Sequence, residues 1–428
     1  MEGIILKAAD NRGLEAGQVR AALEKALEGR KSSLKKVLLL PPDFTRAHSG
    51  AGDITAMLYE MLEGVCQVDI MPALGTHMPV SDEERIAFFG EGIPKERFIV
   101  HNWREDVIKI GEVPAEYIKE ISEGLMEDPI DVEVNWRLVK GGYDLIISIG
   151  QVVPHEVVGM ANYSKNVFVG CGGYSMINRT HMLGAVYGME RIMGRDHSPV
   201  RKVFDYAEQH FAKDIPLMYI LTVTTHEEGK VLIHGLFIGR ERRLFEEAVA
   251  LSQQKNMQFL DEPLQKVVVY LDPHEFKSTW LGNKAVYRTR MAIADGGELI
   301  VLAPGVRQFG EDKGNDMLIR KYGYVGRERV LKLWKEQKDL QENQSVAAHL
   351  IHGSSDGRFT ITYAPGYLTC EEVEGVNFKY MDLKEAYKLY DPEKLRDGFN
   401  VLENGERIFY ISNPALGLWA YKGRFFNE

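Results

Sequence analysis

Gln151-Val-Val-Pro-His155-Glu-Val-Val-Gly-Met-Ala-Asn-Tyr-Ser-Lys165 leads on through Cys171-Gly-Gly-Tyr-Ser-Met-Ile-Asn-Arg-Thr-His181. Just before it, Asp144-Leu-Ile-Ile-Ser-Ile-Gly150 is an apolar run that reads as a buried strand of a parallel sheet. Ligands of open α/β sheets bind beyond the carboxyl ends of such strands. That edge here carries His155, Lys165 ten positions on, and His181 sixteen further. Taken singly, each has an ordinary reading: a lysine is usually solvated, and a lone histidine is usually a partly buried structural one.

The same pattern recurs upstream. Val37-Leu-Leu-Leu40 reads as a strand, closed by Pro41-Pro42 and followed by Asp43-Phe-Thr45-Arg46. Val68 to Leu74 reads as another, ending at Gly75-Thr76-His77. Asp53 is placed to cap a helix over Ile54 to Leu62, and Ser81-Asp-Glu-Glu84 is a capping box. Three polar loops in succession at one sheet edge are harder to dismiss than any one of them.

Residues 1–30 have a charged, helical pattern. After His181 the spacing predicts a helix over Met182 to Met193, a second beginning near Pro199, paired strands over 218–224 and 230–238, and a helix over 242–253. The short polar stretch from Lys255 to Pro263 is the expected boundary. Beyond it come a strand at Val267–Leu271, a helix over 278–294 stopped by Gly296-Gly297, and strands at 298–303, 359–363 and 407–411. The expected fold is α/β: two α/β domains, 1–258 and 259–428, with an interdomain active-site cleft, the last segment packing back on the first domain.

The charge balance narrows the partners. A net charge of −10 argues against nucleic acid, which needs a basic face. No run nears the roughly 18 apolar residues of a membrane span, and the start lacks the form of a secretory signal, so a cytoplasmic location is expected. Cys66, Cys171 and Cys370 form no C-x-x-C pair, and Cys171 reads as a buried, inert thiol. No H-x-x-x-H pair, GxGxxG or Walker fingerprint is present.

In order and local context, Asp43-Phe-Thr45-Arg46, Gly75-Thr-His77, Pro154-His155, Lys165, His181 and Lys284 resemble the lactate racemase family that uses a nickel-pincer nucleotide. The likeness spans most of the chain and is most specific from Val153 to His181. It implies that Lys165 carries the cofactor, pyridinium-3,5-bisthiocarboxylic acid mononucleotide with nickel, and that His181 is the protein's nickel ligand. His77 and His155 would be the two acid/base groups. Asp43, Thr45 and Arg46 would bind the cofactor, with Arg46 and Lys284 reaching the substrate carboxylate. The partners implied are a small α-hydroxy acid and the cofactor-synthesis proteins. Removing C2 hydrogen as hydride avoids a poorly stabilised carbanion, and histidine suits the accompanying proton traffic.

Two departures from lactate-acting relatives bear on the substrate. Gly159-Met-Ala-Asn162-Tyr163-Ser164 replaces a glycine-rich run, and Trp280-Leu281 replaces Tyr-Gln. With Asn178, Arg179 and Thr180, these residues offer more polar groups than a three-carbon acid needs. Asn162, Tyr163 and Trp280 are therefore candidate substrate contacts, and a sugar acid of the D-gluconate/D-mannonate type is the expected substrate, with lactate or another short acid as the alternative. A divalent-metal hydrolase or lyase and a non-catalytic binding protein are the competing classes.

Overall fold

The computed structural model describes residues 3–227 and 229–426, which divide into two compact units. The first holds residues 1–183 and 192–256, the second 184–191 and 257–428.

In the first unit a six-stranded sheet runs Ile4–Lys7, Lys230–Gly239, Leu217–Glu227, Leu145–Gln151, Lys36–Leu40, Gln67–Ile70. The last four strands are mutually parallel; the first two join antiparallel. Both central strands are buried on both faces, hence their unbroken apolar sequence. The helices Ala16–Leu27 and Ala51–Leu62 cover one face, setting Leu23, Ile54 and Leu58 against Val37, Leu39 and Ile147. Each such side chain removed from water contributes about 1.5–3 kcal/mol. From Lys36–Leu40 the chain steps outward to Gln67–Ile70, and it later returns on the other side at Leu145–Gln151. The order therefore reverses between Leu40 and Gln151, where an open sheet leaves a crevice.

Several local expectations are corrected. Residues 1–30 are not one helix: Ile4–Lys7 pairs as an edge strand, and the helix starts at Ala16 behind a capping box on Glu15. Met1 and Glu2 lie outside the described residues. Asp53 is inside its helix, because Gly50, at φ 71°, turns the chain into the helix at Ala51. Gly52 abuts the Phe88 carbonyl so closely that any Cβ would collide with it.

The second unit has its own six-stranded sheet: Lys379–Tyr380, Thr360–Pro365, Ile293–Ala303, Leu264–Tyr270, Arg407–Ile411, Gly398–Val401, parallel but for the last. The expected helix over 278–294 is instead two short ones, Thr279–Gly282 and Lys284–Thr289. Gly296, at φ 78°, does not stop a helix; it lies within a strand already begun at Ile293, where the register to Leu264–Lys266 shifts as in a bulge. The segment 184–191 belongs to this unit through Glu190, whose carboxylate lies 2.9 Å from both Arg290 Nε and Arg358 Nη2. The last strand, Leu418–Tyr421, pairs with Met257–Leu260 within this unit.

Candidate active site

Adjacent parallel strands of the first sheet end in the polar loops. After Leu40, Asp43 caps a 3-10 turn: its Oδ1 accepts from Thr45 N at 2.8 Å and Thr45 Oγ1 at 2.5 Å. After Ile70, the loop to His77 is docked by Gly75 N, which donates to the Gly170 carbonyl at 2.8 Å. After Gln151, Pro154-His155 forms a two-residue ladder with Gly159-Met160. Asp43 then joins two of the loops, since His77 Nδ1 lies 2.6 Å from its Oδ2. Burial works to raise the Asp43 pKa, yet the His77 hydrogen bond, the Thr45 bond and the Arg46 charge hold the carboxyl well below the usual range. It therefore accepts, and His77 Nδ1 carries a proton.

Lys165 is held by its own loop. Asn162 and Tyr163 take φ of 65° and 56°, a left-handed pair unusual for side-chain-bearing residues, just before a π-helical turn over Asn166–Gly170. Arg201, fully buried, clamps this backbone: Nη2 donates to the carbonyls of Met160 (2.8 Å) and Asn162 (3.2 Å), and Nη1 to Ser164 Oγ (3.0 Å). Asn166 ties the turn to the sheet through Leu40 O and Ser148 Oγ, both at 3.1 Å. Arg201→Met strands two buried carbonyls, at about 1–3 kcal/mol each. Its denaturant midpoint is expected to drop by an amount worth about 2–6 kcal/mol; an unchanged midpoint would mean that Arg201 does not hold the loop.

The site's charges act on one another. Burial brings the Lys165 ammonium down to about 8, with Arg46 adding to the fall and Glu156 and Asp43 opposing it. Burial likewise brings His181 down to about 4 and His155 well below the imidazole range; Lys165 acts on both, Arg46 on His155 and His77 on His181. So Asp43, Arg46, His77, His155, Lys165 and His181 form one electrostatic cluster. His181 sits inside the helix Tyr174–Tyr187, not before one as expected, and its Nδ1 donates to the Ile177 carbonyl at 2.5 Å. That fixes a neutral ring with a lone pair on Nε2, the usual arrangement of a metal-ligating histidine. A half-buried amine with a lowered pKa, in one electrostatic cluster with such an imidazole, fits a lysine-tethered, nickel-bearing group. Among the described residues, no three His, Cys, Asp or Glu side chains gather to hold a metal ion by themselves.

Other expected contacts are engaged elsewhere. The Tyr163 ring packs against Tyr219 and Phe245 (centroids 4.4 and 5.1 Å), and its hydroxyl donates to Arg240 O at 2.9 Å. Asn162 Oδ1 accepts from Tyr163 N, and its amide lies over Gly150, leaving no room there for a Cβ. Ser164 accepts from Arg201, Asn178 donates to Tyr174 O, Arg179 pairs with Asp128 at 3.0 Å, and Thr180 donates to Met176 O. Six polar groups read as substrate contacts thus serve the fold. In the second unit, Trp280 stacks on His349 (4.3 Å), and Lys284 Nζ lies 3.8 Å from Glu275 and 5.4 Å from the centre of the Phe276 ring. Burial raises the Cys171 thiol to about 12, so it is inert.

Three residues were not found by reading the chain. Arg201 comes from a helix 36 positions beyond Lys165, and nothing local marks it. Buried His101 bridges Gly172 O (3.1 Å) and Asn135 Nδ2 (2.9 Å) behind the turn. Glu156, next to His155 in sequence, is the one a local reading could have raised.

Residues 4–192 match the family model of the lactate racemase N-terminal domain. Among solved structures, a structural-genomics protein from Thermotoga maritima is similar at 25% identity and a TM-score of 0.80, over 97% of this chain and 100% of that one. The lactate racemase apoprotein from Thermoanaerobacterium thermosaccharolyticum shares 17% identity and a TM-score of 0.70, over 98% of this chain and 95% of that one, a likeness of fold. No curated protein sequence matches significantly.

Proposed function

We propose, on the premise that residues 4–192 are of the lactate racemase N-terminal type, that this chain inverts C2 of an α-hydroxy acid as a racemase or epimerase. One observation carries the reading: a half-buried lysine lowered to about 8 shares an electrostatic cluster with a neutral histidine whose Nε2 lone pair is left for a metal. Lys165 would hold a nickel-pincer nucleotide, supplied by cofactor-synthesis proteins, and His181 would ligate its nickel. When bound, that group would supply reversible hydride chemistry for the C2 hydrogen. Asp43 orients His77, whose Nε2 takes the hydroxyl proton; His155 serves the other side of the substrate. Arg46 is the cation of this unit assigned to the carboxylate, which its guanidinium can bind in bidentate geometry.

The six engaged polar groups no longer favour a sugar acid over a short acid such as lactate. A screen of three- to six-carbon 2-hydroxy acids with cofactor-loaded enzyme separates the two classes. Tyr163→Phe is expected to change turnover less than about threefold on the preferred acid while lowering stability by about 1 kcal/mol, the worth of one hydrogen bond; a large rise in KM alone would return Tyr163 to the substrate. Substrate deuterated at C2 is expected to keep its label after inversion in ordinary water. Rapid washout would point to proton abstraction and overturn the hydride reading.

A further inference from the structure

We infer that a part-enclosed cavity in the second unit is an oxyanion site, built for a small phosphate-like dianion. The site is independent of the racemase reading, and none of the residues assigned to the reaction takes part in it. The cavity, of about 180 Å³, is lined by Arg191, Arg290, Arg327 and Arg358 and by two acids, Glu190 and Asp356. Guanidinium groups stay charged at any physiological pH, so this lining carries a surplus of two positive charges at pH 7. Its volume is well above the roughly 10–15 Å³ that one water needs.

The two carboxylates are already engaged. Glu190 Oε1 lies 2.9 Å from both Arg290 Nε and Arg358 Nη2, and Arg424 Nε lies 4.0 Å from its Oε2. Asp356 accepts from Arg290 Nη2 at 2.9 Å and from the Arg327 backbone N–H at 2.7 Å. Arg290 is thereby saturated, since its Nη1 donates to the carbonyls of Ser354 (3.0 Å) and His352 (3.4 Å). Arg327 is not. Its Nη2 donates to the Val186 carbonyl, its Nε is buried with no hydrogen-bond partner, and its guanidinium makes no ion pair among the described residues. Arg358 uses Nη1 and Nη2 on Asp295, Glu190 and two carbonyls, and its Nε is likewise buried without a partner. Asp295, outside the lining, also pairs with Arg424, so that extra pair leaves the surplus unchanged.

A buried N–H of a charged group that lacks an acceptor is costly. Two such donors, in residues that line one cationic cavity, call for an acceptor that is itself negative. A phosphate-type dianion meets both needs. Its charge cancels the surplus, and its tetrahedral oxygens suit guanidiniums that arrive from four separate segments. A carboxylate brings a single charge and two oxygens in one plane. The second pKa of a phosphoryl group is about 6, so the dianion prevails at pH 7 and above.

The full chain is titrated with inorganic phosphate by calorimetry at fixed ionic strength, with chloride as the control anion. A site with Kd below about 1 mM is expected. Glycerol 3-phosphate binding more tightly than inorganic phosphate would name a phosphomonoester as the ligand, and weaker binding would name free phosphate. Arg327→Met is expected to weaken binding at least about tenfold. Arg46→Met, at the candidate active site, is expected to leave Kd within about twofold. Asp356→Asn removes a competing charge at a backbone φ of 52°, which asparagine tolerates, and is expected to tighten binding about threefold or more. That change is a gain, which misfolding cannot imitate. Wild-type protein that takes up no phosphate at about 10 mM overturns the site. So does a Kd indifferent to Arg327→Met, or weaker binding in Asp356→Asn. Binding lost in Arg46→Met would place the anion on the active-site cations and overturn it as well.

Discussion

Lys165→Met protein, produced alongside the cofactor-synthesis enzymes, is expected to show no added mass on intact-protein analysis and to lose at least about 10³-fold in turnover, because the reacting group is no longer fixed beside its partners. The same variant is expected to be more stable than the cofactor-free wild type. The Lys165 ammonium is held near 8 by burial, against an ordinary lysine value of about 10.4. Below pH 8 it is charged in both folded and unfolded chains, and the full cost of burying the charge bears on the fold. As pH rises from 8 to about 10.4 the unfolded chain binds more protons than the folded one, so stability rises across that window. Methionine keeps the apolar stem and removes the charge. At pH 7 the gain is expected to be about 1–3 kcal/mol, fading above about pH 10.5. An active Lys165→Met enzyme would end the tethered-cofactor reading. A variant no more stable than wild type at pH 7 would show instead that the ammonium stays solvated.

How much of this was legible in the chain depends on whether the signal is local. The central strands are unbroken apolar runs closed by Pro41-Pro42 or by polar loops, so the α/β class and the functional edge follow from Val37–Leu40 and Leu145–Gly150 alone. Asp43, His77 and His155 each lie in a loop that follows such a strand, and Lys165 lies further along the last of these connections. Where reading failed, long-range packing decided. Asn162, Tyr163 and Ser164 look like ligand-facing polar residues, but a buried arginine 37 positions beyond Ser164 and two aromatic rings from other elements claim them. Gly296-Gly297 looks like a helix stop, yet pairing with Leu264–Lys266 makes it a bulge. Ile4–Lys7 is too short to be told from a helix start until its partner strand, some 230 residues on, is known.

Asp43→Asn is expected to reduce turnover by about 10³–10⁴-fold, a loss comparable to removing the base itself although Asp43 exchanges no proton with the substrate. The geometry fixes the outcome because it fixes the amide. Asp43 Oδ1 accepts from both Thr45 N and Thr45 Oγ1, at 2.8 and 2.5 Å. The backbone N–H can only donate, so an asparagine must place its carbonyl oxygen there. Its NH₂ then faces His77 Nδ1, where Asp43 Oδ2 now lies at 2.6 Å. Two donors cannot share that contact, so His77 must give up the Nδ1 proton and carry it on Nε2 instead. His77 would then present an N–H group where its side of the substrate needs a base. A ¹⁵N–¹H correlation of the histidine rings would show the His77 proton moved from Nδ1 to Nε2. Asp43→Glu, which can still accept, is expected to recover part of the activity. If Asp43→Asn moved the proton and left turnover unchanged, His77 would not be the base. If turnover fell with the proton still on Nδ1, Asp43 would act by some route other than orienting that ring.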